Sequence, residues 1–193
     1  MSFVNPQAKE INCKIVYCGP AFSGKSTNLR QIHEKVAKEA RGKFLTITER
    51  DDRTLTFDFL PLTLGKIKGY NIRLHLYTVP GQPQFEASRR IILKGVDGVV
   101  FVADSQVEKM ESDLTCWKDL QRDLRENEVD FKTIPMVLQY NKRDLKEVAP
   151  IEELTRLLNG REAPHLESVA LRGEGVVESL QLVAKQVLKN LKD

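Results

Sequence analysis

This sequence predicts an α/β fold: a mostly parallel central sheet with one antiparallel edge hairpin and helices on both faces. Three observations carry it. Short β-like runs alternate with helix-like runs along the whole chain, the pattern of strand–helix–strand units. One glycine-bearing turn, "GPAFSGKST", stands between the first strand-like run and a helix-like run, and another, "GKIKG", separates two strand-like runs. With 193 residues there is room for one domain with a full core, spanning residues 1–193.

The elements follow in order. "NCKIVYC" is a strand whose Cys13 and Cys18 point to opposite faces, because side chains alternate. "TFDFLPLTL" and "YNIRLHLYTV" flank "GKIKG" and make the antiparallel edge pair. "GVVFVAD", "MVLQYN" and "HLESVA" are further strands, expected parallel. Between them, residues 108–127 place Met110, Leu114, Trp117, Leu120 and Leu124 on one helical face, with Trp117 in the core. The last stretch sets Val176, Val177, Leu180, Val183, Ala184, Val187, Leu188 and Leu191 in a broad apolar stripe that docks on the sheet.

Composition narrows the function. Hydrophobic residues are 41% and charged residues 30%, which argues against disorder, and no apolar run approaches the roughly 20 residues of a membrane span. A net charge of +3, with basic and acidic residues interspersed, gives no support for nucleic-acid binding. Cys13, Cys18 and Cys116 lack metal-ligand spacing and read as reduced thiols. His33, His75 and His165 sit in no arrangement suited to metal or nucleophilic work. The termini show neither a signal core, nor a glycine after Met1, nor a prenylation cysteine, so the expectation is a cytoplasmic protein without lipid anchor or transmembrane segment.

Two motifs carry chemistry. Residues 19–26 fit G-x-x-x-x-G-K-[ST] between a strand and a helix. In such a loop backbone N–H groups and the helix N-terminus point at phosphate oxygens. Gly19, Ala21, Phe22, Ser23, Gly24, Lys25, Ser26 and Thr27 are therefore the candidate phosphate cradle. Gly24 allows close approach, Lys25 bridges two phosphates and Ser26 offers a hydroxyl to Mg²⁺. The second motif, "NKRD", directly follows the strand "MVLQY". A carboxylate at Asp144 accepts from guanine's ring N–H and exocyclic amine together, a donor pair adenine lacks. Asn141 is expected at the base edge, with the Lys142 stem over its face.

With both motifs in place the chain resembles the Ras superfamily over its whole length, and the MglA-type bacterial small GTPases in particular. The residues that carry the likeness are "FDFLPL", "LHLYTVPGQ", "GVDGVVFVADS" and "YNKRD". The resemblance implies the three-layer small G-protein variant of the P-loop NTPase fold, with GTP or GDP and Mg²⁺ as ligands. It also implies a switch that controls cell polarity and motility, an MglB-like roadblock-fold activator, and effectors at a cell pole. By position, Gln82 is similar to the glutamine that orients the attacking water, and Gly81 to the residue whose N–H senses the terminal phosphate. Thr54 corresponds to the switch threonine that reaches Mg²⁺, and Arg53 to an arginine supplied in cis. Arg53 is also readable as a solvated loop charge. "SVALRGEGV" resembles the segment whose backbone N–H, here at Ala170, meets the guanine carbonyl.

Three departures from the family pattern follow. Thr78 stands where a metal-associated aspartate is usual, and Asp58 on the preceding strand is the candidate replacement, or else a solvated strand residue. Ala21 adds a methyl where hydrolytic relatives have glycine, which predicts slow turnover. Phe22 either packs against its own switch region or contacts a partner or a second copy of the chain. An alternative remains of a different class: a hydrolysis-impaired GTP-binding module with a structural or assembly role. A P-loop kinase leaves "NKRD" unexplained.

Overall fold

The computed structural model describes residues 3–49 and 55–190. Eight strands form one sheet: β1 (Phe3–Asn5), β2 (Glu10–Cys18), β3 (Leu45–Glu49), β4 (Leu55–Ile67), β5 (Tyr70–Thr78), β6 (Gly98–Asp104), β7 (Met136–Asn141) and β8 (His165–Glu167). Their order is β3-β4-β5-β2-β6-β7-β8, with β1 paired to β2 alongside. β2 runs parallel to β5 and β6, β7 continues parallel to β6, and β8 to β7. β4 and β5 form the antiparallel hairpin.

Its turn is tighter than "GKIKG" suggests. Lys68 and Gly69 alone connect the strands, at φ 49° and 84°, the doubly positive geometry that matches strand twist. Gly65, at φ 96°, instead marks a bulge where the register shifts between Thr63 and Lys66. Two short strands extend the sheet beyond the six read from sequence. β3 adds antiparallel to the outer side of β4, so the hairpin does not itself form the edge, and β1 folds antiparallel onto the start of β2.

Five α-helices cover the faces among the described residues: α1 (Lys25–Lys35), α2 (Glu86–Leu93), α3 (Met110–Glu126), α4 (Ile151–Leu158) and α5 (Val176–Asn190). Alternation along β6 builds both cores at once. Val99, Phe101 and Ala103 meet α2, α3 and α4 on one face, while Val100 and Val102 meet α1 and α5 on the other. Cys18 and Cys13 divide between these two cores, as the strand period requires. Trp117 is buried edge-on between Phe101 and Phe131, at ring separations of 4.8 and 5.2 Å. The carboxyl ends of β2, β5, β6 and β7 lie side by side, with Tyr17 opposite Thr78 and Asp104 opposite Asn141. Ligands of open parallel sheets bind in the crevice beyond such ends.

Candidate functional site

At that edge lie two adjoining cavities. The larger, about 400 Å³, is lined by the 21–27 loop and the segment 78–82; the smaller, about 200 Å³, by residues of 141–145 and 169–171. Phe22, Gly24 and Thr27 line both, so the two form one continuous cleft.

The larger cavity is chemically an anion site. None of the described residues lining it is acidic. Helix α1 begins there at Lys25 with Gly24 as its N-cap and no side-chain cap, leaving the first-turn N–H groups free of a side-chain partner. Lys25 is buried, and its Nζ donates to the loop's own carbonyls, Pro20 O at 2.6 Å and Gly19 O at 3.0 Å. Burial pushes its ammonium down to about 8, against the pull of the Asp113 and Asp58 carboxylates. An ammonium so placed is aimed before any anion arrives.

Glycine is obligatory at two points of this loop system. Gly24 has φ 107°, and a Cβ there would lie 2.2 Å from Asn141 Nδ2. A Cβ on Gly81 would lie 2.3 Å from Ala21 N, which means that the segment after β5 packs directly on the backbone of the first loop.

Asn141 ties three segments together. Its Nδ2 donates to Ser23 O at 2.7 Å, and its Oδ1 accepts from Ala170 N at 2.9 Å and Ser168 Oγ at 3.0 Å. Both ends of the amide are thus occupied within the protein, and the Ala170 N–H is turned onto Asn141. Lys142, at φ 66°, reaches Asp104 Oδ2 at 2.6 Å, while its side chain lines the smaller cavity. Asp144 lines the same cavity, with Arg172 Nη2 3.7 Å from its carboxylate.

Other sequence-chosen residues fall as follows. Gly19 and Ser23 do not line the cleft; Ser23 is fully buried with no partner for its hydroxyl. Ala21, Ser26, Thr27, Gly81 and Gln82 line the larger cavity. Phe22 stands 87% exposed at φ 64°, so it is not packed against its own switch region. Asp58 is not a solvated strand residue: it is buried, its Oδ1 accepts from Thr46 at 2.9 Å, and its Oδ2 accepts from Thr78 Oγ1 at 3.3 Å. Ser26 and Thr78 line the cavity and Asp58 stands behind Thr78, oxygen donors of the kind Mg²⁺ takes. Arg53 and Thr54 lie outside the described residues.

Two participants escaped sequence reading. Asp104 closes β6 and accepts from Lys142 Nζ, a role that nothing in its own local pattern signals. Arg89 looks like a surface charge in "ASRRII" yet is buried, donating to Gln82 O at 2.8 Å.

Comparison with known proteins agrees with this architecture. Residues 2–187 match the model of the ADP-ribosylation factor family. The chain is 53% identical to the mutual gliding-motility protein MglA of Myxococcus xanthus, over all of this chain and 98% of that protein. It is 27% identical to mouse Ras-related protein Rab-4A over 92% of this chain and 75% of that one. With human ADP-ribosylation factor-like protein 4A the identity is 29%, over 69% and 66% respectively. No helix among the described residues is long and apolar enough to cross a membrane. A sheet whose strand ends gather a lysine-bearing loop, a glycine packed on that loop and an Asn-Lys-Arg-Asp segment, matched over its whole length by MglA and over residues 2–187 by the family model, places the chain in the ADP-ribosylation factor family as an MglA-type, Ras-like small GTPase.

Proposed function

We propose that this GTPase is a molecular switch that binds GTP or GDP with Mg²⁺, hydrolyses GTP slowly, and controls cell polarity and motility through partners that read its nucleotide state. The continuity of the cleft is the observation that carries the reading. Its larger part is cationic and lined by backbone N–H donors, and its smaller part presents the Asp144 carboxylate; phosphates and guanine belong to these respectively.

The roles of the residues follow from their chemistry. Lys25 and the N–H groups at the start of α1 hold the phosphates. Asp144 selects guanine, the Lys142 stem covers the base, and Asn141 keeps the cleft's three walls in register by its bonds to Ser23, Ser168 and Ala170. Ser26 and Thr54 would hold Mg²⁺, with Asp58 supporting from behind Thr78; the ion neutralises charge on the phosphates. Gln82, on the rim of the same cavity, orients the attacking water, and Arg53 stabilises the charge that develops as the terminal phosphate leaves. Ala21, whose main-chain nitrogen Gly81 packs against, adds a methyl at a position lining the same cavity, which supports a slow rate and a long GTP-bound lifetime.

By likeness to MglA, the partners are a roadblock-fold, MglB-like activator and polar effectors, and the setting is the cytoplasm with concentration at a cell pole. Phe22, exposed at the cleft mouth, is a candidate contact for such a partner or for a second copy of the chain. Competition binding tests the base assignment. Asp144→Ala should weaken GDP by about 100-fold or more, given charge-assisted bonds worth about 1.5–3 kcal/mol each, and leave any weak ADP binding unchanged. Equal losses for both nucleotides would remove Asp144 from the site.

A further inference from the structure

The 81–82 peptide is held from three sides, one hold coming from helix α3 and another from α2. Cys116 Sγ–H donates to Gly81 O at 3.5 Å, and Arg89 Nη1 donates to Gln82 O at 2.8 Å. On the opposite side Gly81 lies against Ala21 N. Arg89 is in turn fixed by α3. Its Nε pairs with Asp123 Oδ2 at 3.0 Å and its Nη2 approaches Asp119 Oδ2 at 3.5 Å. Asp123 is wholly buried and Arg89 nearly so.

We infer that Arg89 is a positioning residue for Gln82, a buried fork through which Asp123 and Asp119 of α3 fix the main chain of the glutamine at the cleft. The inference rests on the proposed role of Gln82. Only a guanidinium supplies donors in a planar fork that can bond one carboxylate through Nε, hold a main-chain carbonyl through Nη1 and set Nη2 beside a second carboxylate as an ion pair; an ammonium reaches fewer of them. A buried Arg–Asp pair adds little net stability over apolar packing. What this pair does supply is direction, because its third partner is the carbonyl of the residue at the cavity rim. Around it, Arg122 bridges Asp119 at 3.0 Å and Glu86 at 3.4 Å, and Arg90 bridges Glu86 and Glu126 at 3.2 and 2.7 Å. Of these, the Arg122–Glu86 and Arg90–Glu126 pairs cross between α2 and α3, so any partner that shifts α2 would move Gln82 through Arg89.

The test is a double-mutant cycle on the full chain, read by single-turnover GTP hydrolysis, GDP affinity and melting temperature. Arg89→Lys keeps a charge opposite Asp123 but loses the fork. It should leave GDP affinity within about twofold and slow hydrolysis roughly 10- to 100-fold, the cost of displacing a reacting group by about 1 Å. In a Gln82→Ala background the same change should do nothing further. Asp123→Asn, which loosens Arg89 without removing it, should show the same pattern at smaller size and serves if Arg89→Lys does not fold. An Arg89→Lys effect that persists undiminished in the Gln82→Ala background, or an unchanged rate, overturns the inference alone. A Gln82→Ala variant as fast as the parent overturns the role of Gln82 and this inference with it.

Discussion

Gly81→Ala is the substitution whose cost can be worked most directly from the structure. The new Cβ would meet Ala21 N at 2.3 Å, Pro20 C at 2.4 Å and Gly19 O at 2.7 Å, all main-chain atoms that cannot swing aside. Ordinary contact begins near 3.4 Å, so one of the two segments must retreat by about 1 Å. The lysine-bearing loop is tied to β7 through Asn141 and to α1 through Lys25, whereas among the described residues the 81–82 peptide is held only at its carbonyls, by the weak thiol bond of Cys116 and by Arg89. The 81–85 segment therefore moves, carrying Gln82 with it. A displacement of that size costs on the order of 100-fold in rate. The phosphate-binding groups stay where they were, so GDP affinity should change by no more than about threefold. Single-turnover phosphate release from bound GTP, with GDP affinity measured on the same preparations, gives the two numbers. A Gly81→Ala protein that hydrolyses GTP at the parental rate would refute the argument. Equal losses in binding and rate would show that the first loop, not the second, had given way.

Further outcomes follow from the same geometry. Ala21→Gly should raise the activated hydrolysis rate by about tenfold or more, and a variant no faster than the parent with activator present would dissociate the methyl from slow turnover. Lys25 is protonated at neutral pH, and phosphate favours its charged form. GDP affinity should thus be level below about pH 7 and fall as pH rises through about 8, by at most about tenfold per unit, while Lys25→Arg should flatten that slope. A parent with no slope between about pH 7 and 9 would contradict this. Asp113 is buried beneath Asp104, its carboxyl pushed up to about 8 by burial against the bond it accepts from Asp104 N. A value raised on folding means that the native state binds the proton more tightly, so Asp113 costs stability as pH rises from about 4 to about 8. Asp113→Asn should accordingly gain melting temperature over the parent across that window, whereas parallel curves would contradict it.

How much was legible in the sequence varied with how local the cause was. Each of the six strands read from apolar runs has its counterpart in β2, β4, β5, β6, β7 and β8; burial on both faces leaves dense apolar runs in β6 and β7, and alternation marks β5. The phosphate loop was legible because its spacing encodes its mechanism. β3 was not: "LTITE" is short, Leu45 and Ile47 are exposed, and it becomes a strand only by pairing with residues 55–59. Arg89 was hidden for the same reason. Its neighbours in sequence give it the look of a solvated charge, while the carboxylate that buries it is Asp123, 34 residues away. Asn141 was placed at the site by its motif, but its partners Ser23, Ser168 and Ala170 could be known only once three loops met. The positive φ of Phe22 and Lys142 likewise has no local signal, since neither is glycine or asparagine.

The central claim is that this chain cycles between guanine-nucleotide states. Its most direct test is the nucleotide content of the purified protein, followed by single-turnover phosphate release from bound GTP with Mg²⁺, with and without a roadblock-fold activator. The account predicts stoichiometric guanine nucleotide, largely GDP, and slow release that the activator accelerates. Retained GTP with a negligible activated rate would contradict the cycling switch and leave a GTP-holding assembly module in its place.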